Sequence, residues 1–199
     1  MKVIVISIGG SVIAPGKIDY EFLLKLKHTI TKLSRRNKIV ICTGGGKVAR
    51  DYIFALKQAK FSKIRQDLIG IEATRLNAKL VSIFLDANKI IPDSLEEVVR
   101  LVRKHKIVVC GGLKPGRTSD GTTAEIAARL NAHFLVNVTN VKGLYDKDPQ
   151  KFKNAKFIPE ISHEEFAKIL AKIKVGIVKD MREFENYLAG KKFVGTVIS

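Results

Sequence analysis

Three short runs of β-branched and apolar residues in this chain each end abruptly on glycine. Val3-Ile4-Val5-Ile6-Ser7-Ile8 runs into Gly9-Gly10-Ser11, Ile39-Val40-Ile41-Cys42-Thr43 into Gly44-Gly45-Gly46-Lys47, and Ile107-Val108-Val109-Cys110 into Gly111-Gly112. Runs this short, without polar alternation, read as strands covered on both faces, hence as a parallel sheet. Glycine at the carboxyl end of such a strand lets backbone approach a ligand and present its N–H groups. In open α/β sheets the ligand crevice lies outside those ends. The repeated grammar therefore predicts one site, made of three glycine mouths at one sheet edge, that holds several phosphates.

The segments between these runs carry helical spacing. Phe22, Leu23, Leu26, Ile30 and Leu33 fall on one face between Asp19 and Arg36, with Asp19 placed to cap. A second helix follows the Gly44 mouth through Val48, Tyr52, Ala55, Leu56 and Ala59. A third runs from about Lys63 to Leu85 through Ile64, Leu68, Ile71, Leu76 and Leu80. Asp93-Ser94 caps a short helix with Leu95, Val98, Val99 and Val102. The third mouth opens into the polar loop Leu113-Lys114-Pro115-Gly116-Arg117-Thr118-Ser119, and a helix runs from Asp120 to Leu130. A strand from His133 to Val138, a loop from Thr139 to Pro149, a helix from Glu164 to Ala171, a strand from Val175 to Val178, a helix from Met181 to Leu188 and a strand from Phe193 to Ile198 complete the chain. Alternation of this kind predicts a doubly wound, mostly parallel sheet with helices on both faces, its terminal strands antiparallel at the edges. No linker cuts the chain, so one domain over 1–199 is expected, divided near residue 110.

Composition narrows the class. At 199 residues and 46% hydrophobic content the chain can bury a substantial core. No apolar stretch is long enough to span a bilayer, and Gly9-Gly10 ends the first apolar run too early for a signal peptide. Cys42 and Cys110 fall inside predicted buried strands without zinc-type spacing, which argues for a reducing cytoplasm and against metal or disulfide staples. The balance of 36 Lys+Arg against 19 Asp+Glu, a net +17, raises nucleic acid as a partner. The lysines, however, are spread over helix surfaces, with no basic tail, no tryptophan and no aromatic-interleaved basic strip. They read as a solvated surface whose field draws anionic nucleotides, with no specific nucleic-acid site and no membrane partner.

Gly44-Gly45-Gly46-Lys47 before a helix resembles a phosphate loop without the Walker A or Rossmann spacing. Its physics is that of free N–H groups at a helix N-terminus. Arg50, one turn on, is either a fork on a phosphate oxygen or a surface helix residue. Asp67, amid a basic and apolar stretch, either accepts two ribose hydroxyls or pairs with Arg65 or Lys63. Asp120 is an acid at a helix start, as N-cap, as functional group or as both. His28, His105, His133 and His163 form no metal-spaced pair and read as structural or surface residues. No Ser-His-Asp or Cys-His arrangement stands out. Positioning and electrostatics are what remain, and phosphoryl transfer needs little else from protein.

Longer blocks carry a resemblance. Ile8-Gly9-Gly10-Ser11, Thr43 to Arg50, Asp67 to Ala78, Thr139-Asn140-Val141-Lys142-Gly143-Leu144-Tyr145-Asp146-Lys147-Asp148-Pro149 and the closing Gly195-Thr196-Val197-Ile198 resemble the amino acid kinase superfamily. Within it, the Thr43 and Asp67 blocks are most similar to the archaeal-type uridylate kinases, which make UDP from UMP and ATP. The resemblance implies that Gly9, Gly10, Ser11, Gly46 and Arg50 hold the ATP phosphates, and that Thr139, Asn140, Tyr145 and Asp148 hold the adenosine side. It implies that Gly45 and Asp67 hold UMP, and that Leu113, Lys114, Pro115, Gly116, Arg117, Thr118 and Ser119 wrap its phosphate and base. Arg50 and Asp120 are the candidate catalytic residues. ATP with Mg²⁺ on its phosphates is the expected cofactor; the sequence names no protein ligand for the metal. The cytoplasm is the expected location and a hexamer the expected assembly.

The sequence also departs from that pattern. Lys142 stands where the family commonly has Asp, and Arg117 where His or Gln is usual, so the loop should grip its phosphate more strongly. At Ile173 the chain goes straight from helix to strand, where the family has a glycine-containing segment and a helix. With only Lys174 between helix and strand, we expect a further segment between about Ala171 and Val175 that the numbering does not carry, a lid or crossover helix over the ATP phosphates. The rivals are a kinase of the same fold for another small acid or phosphate, such as isopentenyl phosphate or carbamate, and a non-catalytic nucleotide-binding regulator. The His-bearing loop expected of an isopentenyl phosphate kinase is not at Gly44 to Lys47, which counts against that one; a true deletion at Ile173 favours the regulator.

Overall fold

A computed structural model of the chain describes residues 1–145, 153–161 and 174–198. Asp148, His163, the expected helix Glu164 to Ala171 and the join at Ile173 lie outside the described residues. The strands are β1 (Lys2–Ile8), β2 (Asn37–Thr43), β3 (Ile107–Cys110), β4 (Phe134–Val138), β5 (Leu144–Tyr145), β6 (Phe157–Ile158), β7 (Glu160–Ile161), β8 (Lys174–Val178) and β9 (Gly195–Ile198). The helices are α1 (Gly10–Ile13), α2 (Tyr20–Ser34), α3 (Gly46–Gln58), α4 (Lys63–Leu85), α5 (Leu95–Lys104), α6 (Ser119–Arg129) and α7 (Met181–Leu188).

The main sheet has the order β3-β2-β1-β4-β8-β9-β7. β3, β2, β1, β4 and β8 are parallel, so all their carboxyl ends face one edge; β9 is antiparallel to β8, and β7 parallel to β9. Terminal strands as antiparallel edges is an expectation the sheet corrects. β1 is central and parallel, because both its faces are apolar and both are covered. β9 is antiparallel but not an edge, since the short β7 adds outside it. β5 and β6 form a separate antiparallel pair that no periodicity announces in two-residue strands.

Alternate residues of the strands enter two cores. Ile4, Ile6, Ile8, Ile39, Ile41, Val136 and Val138 pack under Leu23, Leu26 and Ile30 of α2, Ala78, Val81 and Leu85 of α4 and Phe184 of α7. Val5, Val40, Cys42, Val108, Cys110 and Leu135 pack under Val98 and Val102 of α5 and Ile126 and Ala127 of α6. Helices thus cover both faces. Capping sets several starts: Asp19 accepts from the Phe22 N–H, Ser94 from Glu97 and Asp180 from Arg182 and Glu183.

Two expected stripes face outward instead. On α3, Ala49 is buried while Val48, Tyr52 and Phe54 are exposed. On α4 the buried face is Ala73, Asn77, Ala78, Val81, Ser82 and Leu85, while Ile64, Leu68 and Leu76 are exposed. At the mouths α4 presents the small or hydrogen-bonding Ala73, Thr74 and Asn77, while farther along Val81 and Leu85 enter the core and Leu80 of the expected stripe packs against it.

Candidate active site

The switch point of the sheet is at β1, where the chain winds outward to β2 and β3 on one side and to β4 and β8 on the other. Two ladder-like bonds continue past the strand ends there: Gly9 N–H donates to Val138 O at 2.9 Å and Gly44 N–H to Ile8 O at 2.8 Å. The first two mouths then meet backbone to backbone. A Cβ on Gly10 would lie 2.1 Å from Gly46 N and 2.5 Å from Gly44 O, and Gly46 itself has φ +62°. Glycine is required here so that the two loops can touch, as well as to reach a ligand. Gly45 is closed in by Ala49, Ala73 and the Gly70 carbonyl. The third mouth is used differently. Cβ atoms on Gly111 or Gly112 would strike Thr74 and the α4 backbone or Ile71, so these glycines make room for α4.

Helix α4 ties the mouths together. Asn77 Nδ2 donates to Gly44 O at 2.7 Å. Thr43 Oγ1 donates to Thr74 O at 2.9 Å, and Gly112 N–H to Thr74 Oγ1 at 2.6 Å. Two turns earlier, Gly116 N–H donates to Asp67 Oδ2 at 2.9 Å, and Lys63 meets Asp67 Oδ1 at 2.7 Å. The pairing of Asp67 with Lys63 is the partner expected for a structural role; the bond to Gly116 is one the sequence did not signal. The hydrogen bond from Lys63 holds the Asp67 carboxyl below its ordinary pKa against the opposing effect of burial, and the Gly116 N–H adds to the lowering. Asp67 thereby pins the loop Leu113 to Ser119 to α4, with Gly116 at φ +79°.

At the other end of that loop, Thr118 caps α6 by accepting from Gly121 N–H at 3.0 Å. The N-cap reading of Asp120 is therefore corrected: Asp120 lies inside the first turn, and Oδ1 accepts from Ser7 Oγ at 2.8 Å. Ser7 is buried on β1, so this bond docks the start of α6 on the central strand. Ser7 is a site residue that sequence reasoning missed; a lone hydroxyl in an otherwise apolar strand was its signal. Asn77 and Thr74 were visible as polar positions one and two turns after Asp67, without their partners.

Arg50 is exposed on α3 and has no ion-pair or hydrogen-bond partner among the described residues. Thr139 and Asn140 follow β4 at the same sheet edge as the Gly9 mouth, and Thr139 N–H donates to Val178 O. Gly143 packs on Thr196 of β9, which brings the Thr139 loop toward the β9 side; Tyr145 closes β5. His133 accepts from Val3 N–H through Nδ1, and His28 and His105 are exposed, in keeping with structural or surface roles. Cys42 and Cys110 face each other in register beneath the third mouth as free, buried thiols. The neighbouring Cys42 and burial push the Cys110 thiol well up; the Cys110 and Thr123 hydrogen bonds lower that of Cys42 against burial.

A mostly parallel sheet whose paired glycine loops meet at its switch point, with helix N-termini beside them, has the geometry that suits phosphate groups in α/β proteins. The amino acid kinase family model matches residues 2–181. The chain belongs to the amino acid kinase family. A uridylate kinase of Thermoplasma volcanium is 38% identical over 220 aligned positions, covering 98% of this chain and 96% of the relative. Because 220 exceeds the 199 residues here, that relative carries residues that face gaps in this chain. A uridylate kinase of Pyrococcus abyssi is 40% identical over 172 residues, covering 85% of this chain and 76% of the relative. The crystal structure of uridylate kinase from Archaeoglobus fulgidus superposes with a TM-score of 0.88 at 33% identity, covering 100% of both chains.

Proposed function

We propose that this chain is an ATP-dependent UMP kinase that transfers the γ-phosphoryl group to UMP to give UDP, a step of pyrimidine nucleotide biosynthesis. The observation that carries the reading is the likeness to uridylate kinases over nearly the whole chain, at 38% identity with one of them. The Asp67 to Ala78 block, which singles out this class in the sequence, forms the helix that ties the mouths together.

The backbone N–H groups of Gly9, Gly10, Ser11 and Gly46, with Arg50, bind the ATP phosphates. Thr139, Asn140, Tyr145 and Asp148 take the adenosine side. Gly45 and Asp67 bind UMP, Asp67 through the ribose hydroxyls; each carboxylate oxygen has a second lone pair free beside its bond to Lys63 or Gly116. The loop from Leu113 to Ser119 takes the acceptor phosphate. An in-line transfer needs no general base, because the acceptor oxygen already carries charge. Preorganised N–H groups and the Arg50 guanidinium stabilise the charge on the transferring group. Asp120, fixed by Ser7, orients the start of α6 and with it Thr118 and Ser119.

Mg²⁺ enters as part of the ATP substrate. Among the described residues no group of three or more His, Cys, Asp or Glu is arranged to hold a metal by itself. The chain forms one domain over 1–199, with an acceptor part to about residue 110 and an ATP part from about 111, the Leu113 loop crossing back to the acceptor. Among the described residues no helix is long and apolar enough to cross a membrane, and the free buried cysteines support the cytoplasm as its location. The apolar outer face of α3 and α4 supports a homo-oligomer, with the hexamer of the family as its form. A coupled assay with ATP across UMP, CMP, AMP and simple acids tests the reading. Turnover of UMP well above the others is expected; a preference for another acceptor, or none, overturns it.

A further inference from the structure

The loop from Leu113 to Ser119 is held from two sides. Asp67 on α4 takes its Gly116 N–H at 2.9 Å. On the other side Glu125 of α6 meets both of the loop's cations: Lys114 Nζ at 2.9 Å through Oε1 and Arg117 Nε at 4.0 Å through Oε2. The Glu125 side chain is 30% exposed, the two cations 55% and 53%, so the cluster is open to an incoming anion. Lys114 and Arg117 are the only loop residues with full charge, and one carboxylate engages both.

We propose that Glu125 is the internal counter-ion of the acceptor-phosphate site, a positioning residue that holds Lys114 and Arg117 in place and sets acceptor affinity by competing with the phosphate for them. This rests on the acceptor role given to the loop above. A phosphate dianion outcompetes a single carboxylate for two cations, whereas a monoanion gains little from the exchange. Before the acceptor arrives, the pairing keeps two like charges in one short loop from pushing each other apart. Arg117 therefore does not simply add grip; part of its charge is already answered by Glu125.

The test is calorimetric binding of UMP and of inorganic phosphate, with KM for ATP, in the wild type, Glu125→Gln and Glu125→Asp, at low salt and near ~0.5 M salt. Exposed pairs of this kind are weak and screened, so Glu125→Gln should tighten UMP and phosphate about threefold to tenfold at low salt. The gain should fade at high salt, KM for ATP should stay unchanged, and Glu125→Asp should behave like the wild type. In an Arg117→Gln background the gain should shrink. Unchanged or weaker UMP and phosphate binding in Glu125→Gln overturns the proposal, as does an equal change for ATP. Failure of the kinase reading looks different: the wild type then neither binds nor turns over UMP, while the phosphate arm still reports on Glu125.

Discussion

A methyl group on Gly10 would sit inside the backbone of the neighbouring loop, 2.1 Å from Gly46 N and 2.6 Å from Gly45 C. Both are backbone atoms, so no rotamer change relieves the overlap. Gly10→Ala must part the first two mouths. It is expected to cost about 3 kcal/mol or more and to remove ATP binding; wild-type melting with normal nucleotide affinity would show that the loops are not seated on each other. Asp67 has a different liability, since in its proposed role it would serve the ribose as well as the loop that it pins. Asp67→Asn should raise KM for UMP by roughly tenfold or more, for a loss of about 1.5–3 kcal/mol, and leave KM for ATP nearly unchanged. An equal rise for both substrates removes Asp67 from the acceptor site. The ionised form of Asp67 is favoured by Lys63 and Gly116, so what it contributes is present above the ordinary carboxylate pKa and lost as pH falls through its lowered value. The loop should therefore stay pinned into mildly acidic solution. Arg50 has no partner among the described residues, which is compatible with the phosphate fork proposed for it; in that role Arg50→Lys should lower kcat strongly, because an ammonium lacks the planar bidentate geometry.

At the scale of elements, α7 carries the clearest stability prediction. The Tyr187 ring lies edge-on to Phe134 and Phe193, and its hydroxyl is buried without a hydrogen-bond partner among the described residues. Burial pushes its pKa up to about 12. The unfolded chain ionises first, so stability is full below pH ~10 and falls as pH rises from there toward about 12. Tyr187→Phe should abolish that alkaline loss and raise stability by about 1 kcal/mol, since no bond is given up; thermal melts at neutral and alkaline pH check both. The strands around it were legible because apolar runs covered on both faces allow few other readings. Capped starts such as Asp19 and Ser94 were legible for the same local reason. The inner face of α4 was not. Periodicity counts apolar side chains, but the face against the mouths is built from Ala73, Thr74, Asn77 and Ala78, chosen for size and hydrogen bonding. Of the candidate site, the first two glycine mouths and the Asp67–Lys63 pair were legible in the sequence, whereas the third mouth's packing on α4 and the long-range bond of Ser7 to Asp120 were not; nor did helical spacing mark Glu125 as the partner of two cations in the preceding loop.

For the whole molecule, two surfaces remain to be accounted for. The net charge of +17 is spread over helix exteriors, so duplex DNA should bind weakly and be released by moderate salt; tight, sequence-dependent binding at physiological salt would call for a nucleic-acid site. The second surface is the apolar outer side of α3 and α4. Tyr52 is 58% exposed, Ile64 61%, Leu68 50%, Leu76 64% and Ile83 67%. Large apolar side chains on two adjoining helices that leave the core to smaller residues make a face suited to burial against another copy. Burying each such side chain is worth about 1.5–3 kcal/mol. Replacing Leu68 and Leu76 together by Glu should therefore weaken assembly by at least about a hundredfold. The monomer's melting temperature should change little, because neither side chain enters either core. Sedimentation of the wild type and the double variant decides the matter. An oligomer that becomes a folded monomer supports α3 and α4 as the contact; a wild type already monomeric, or a variant that assembles as before, removes this face from the assembly.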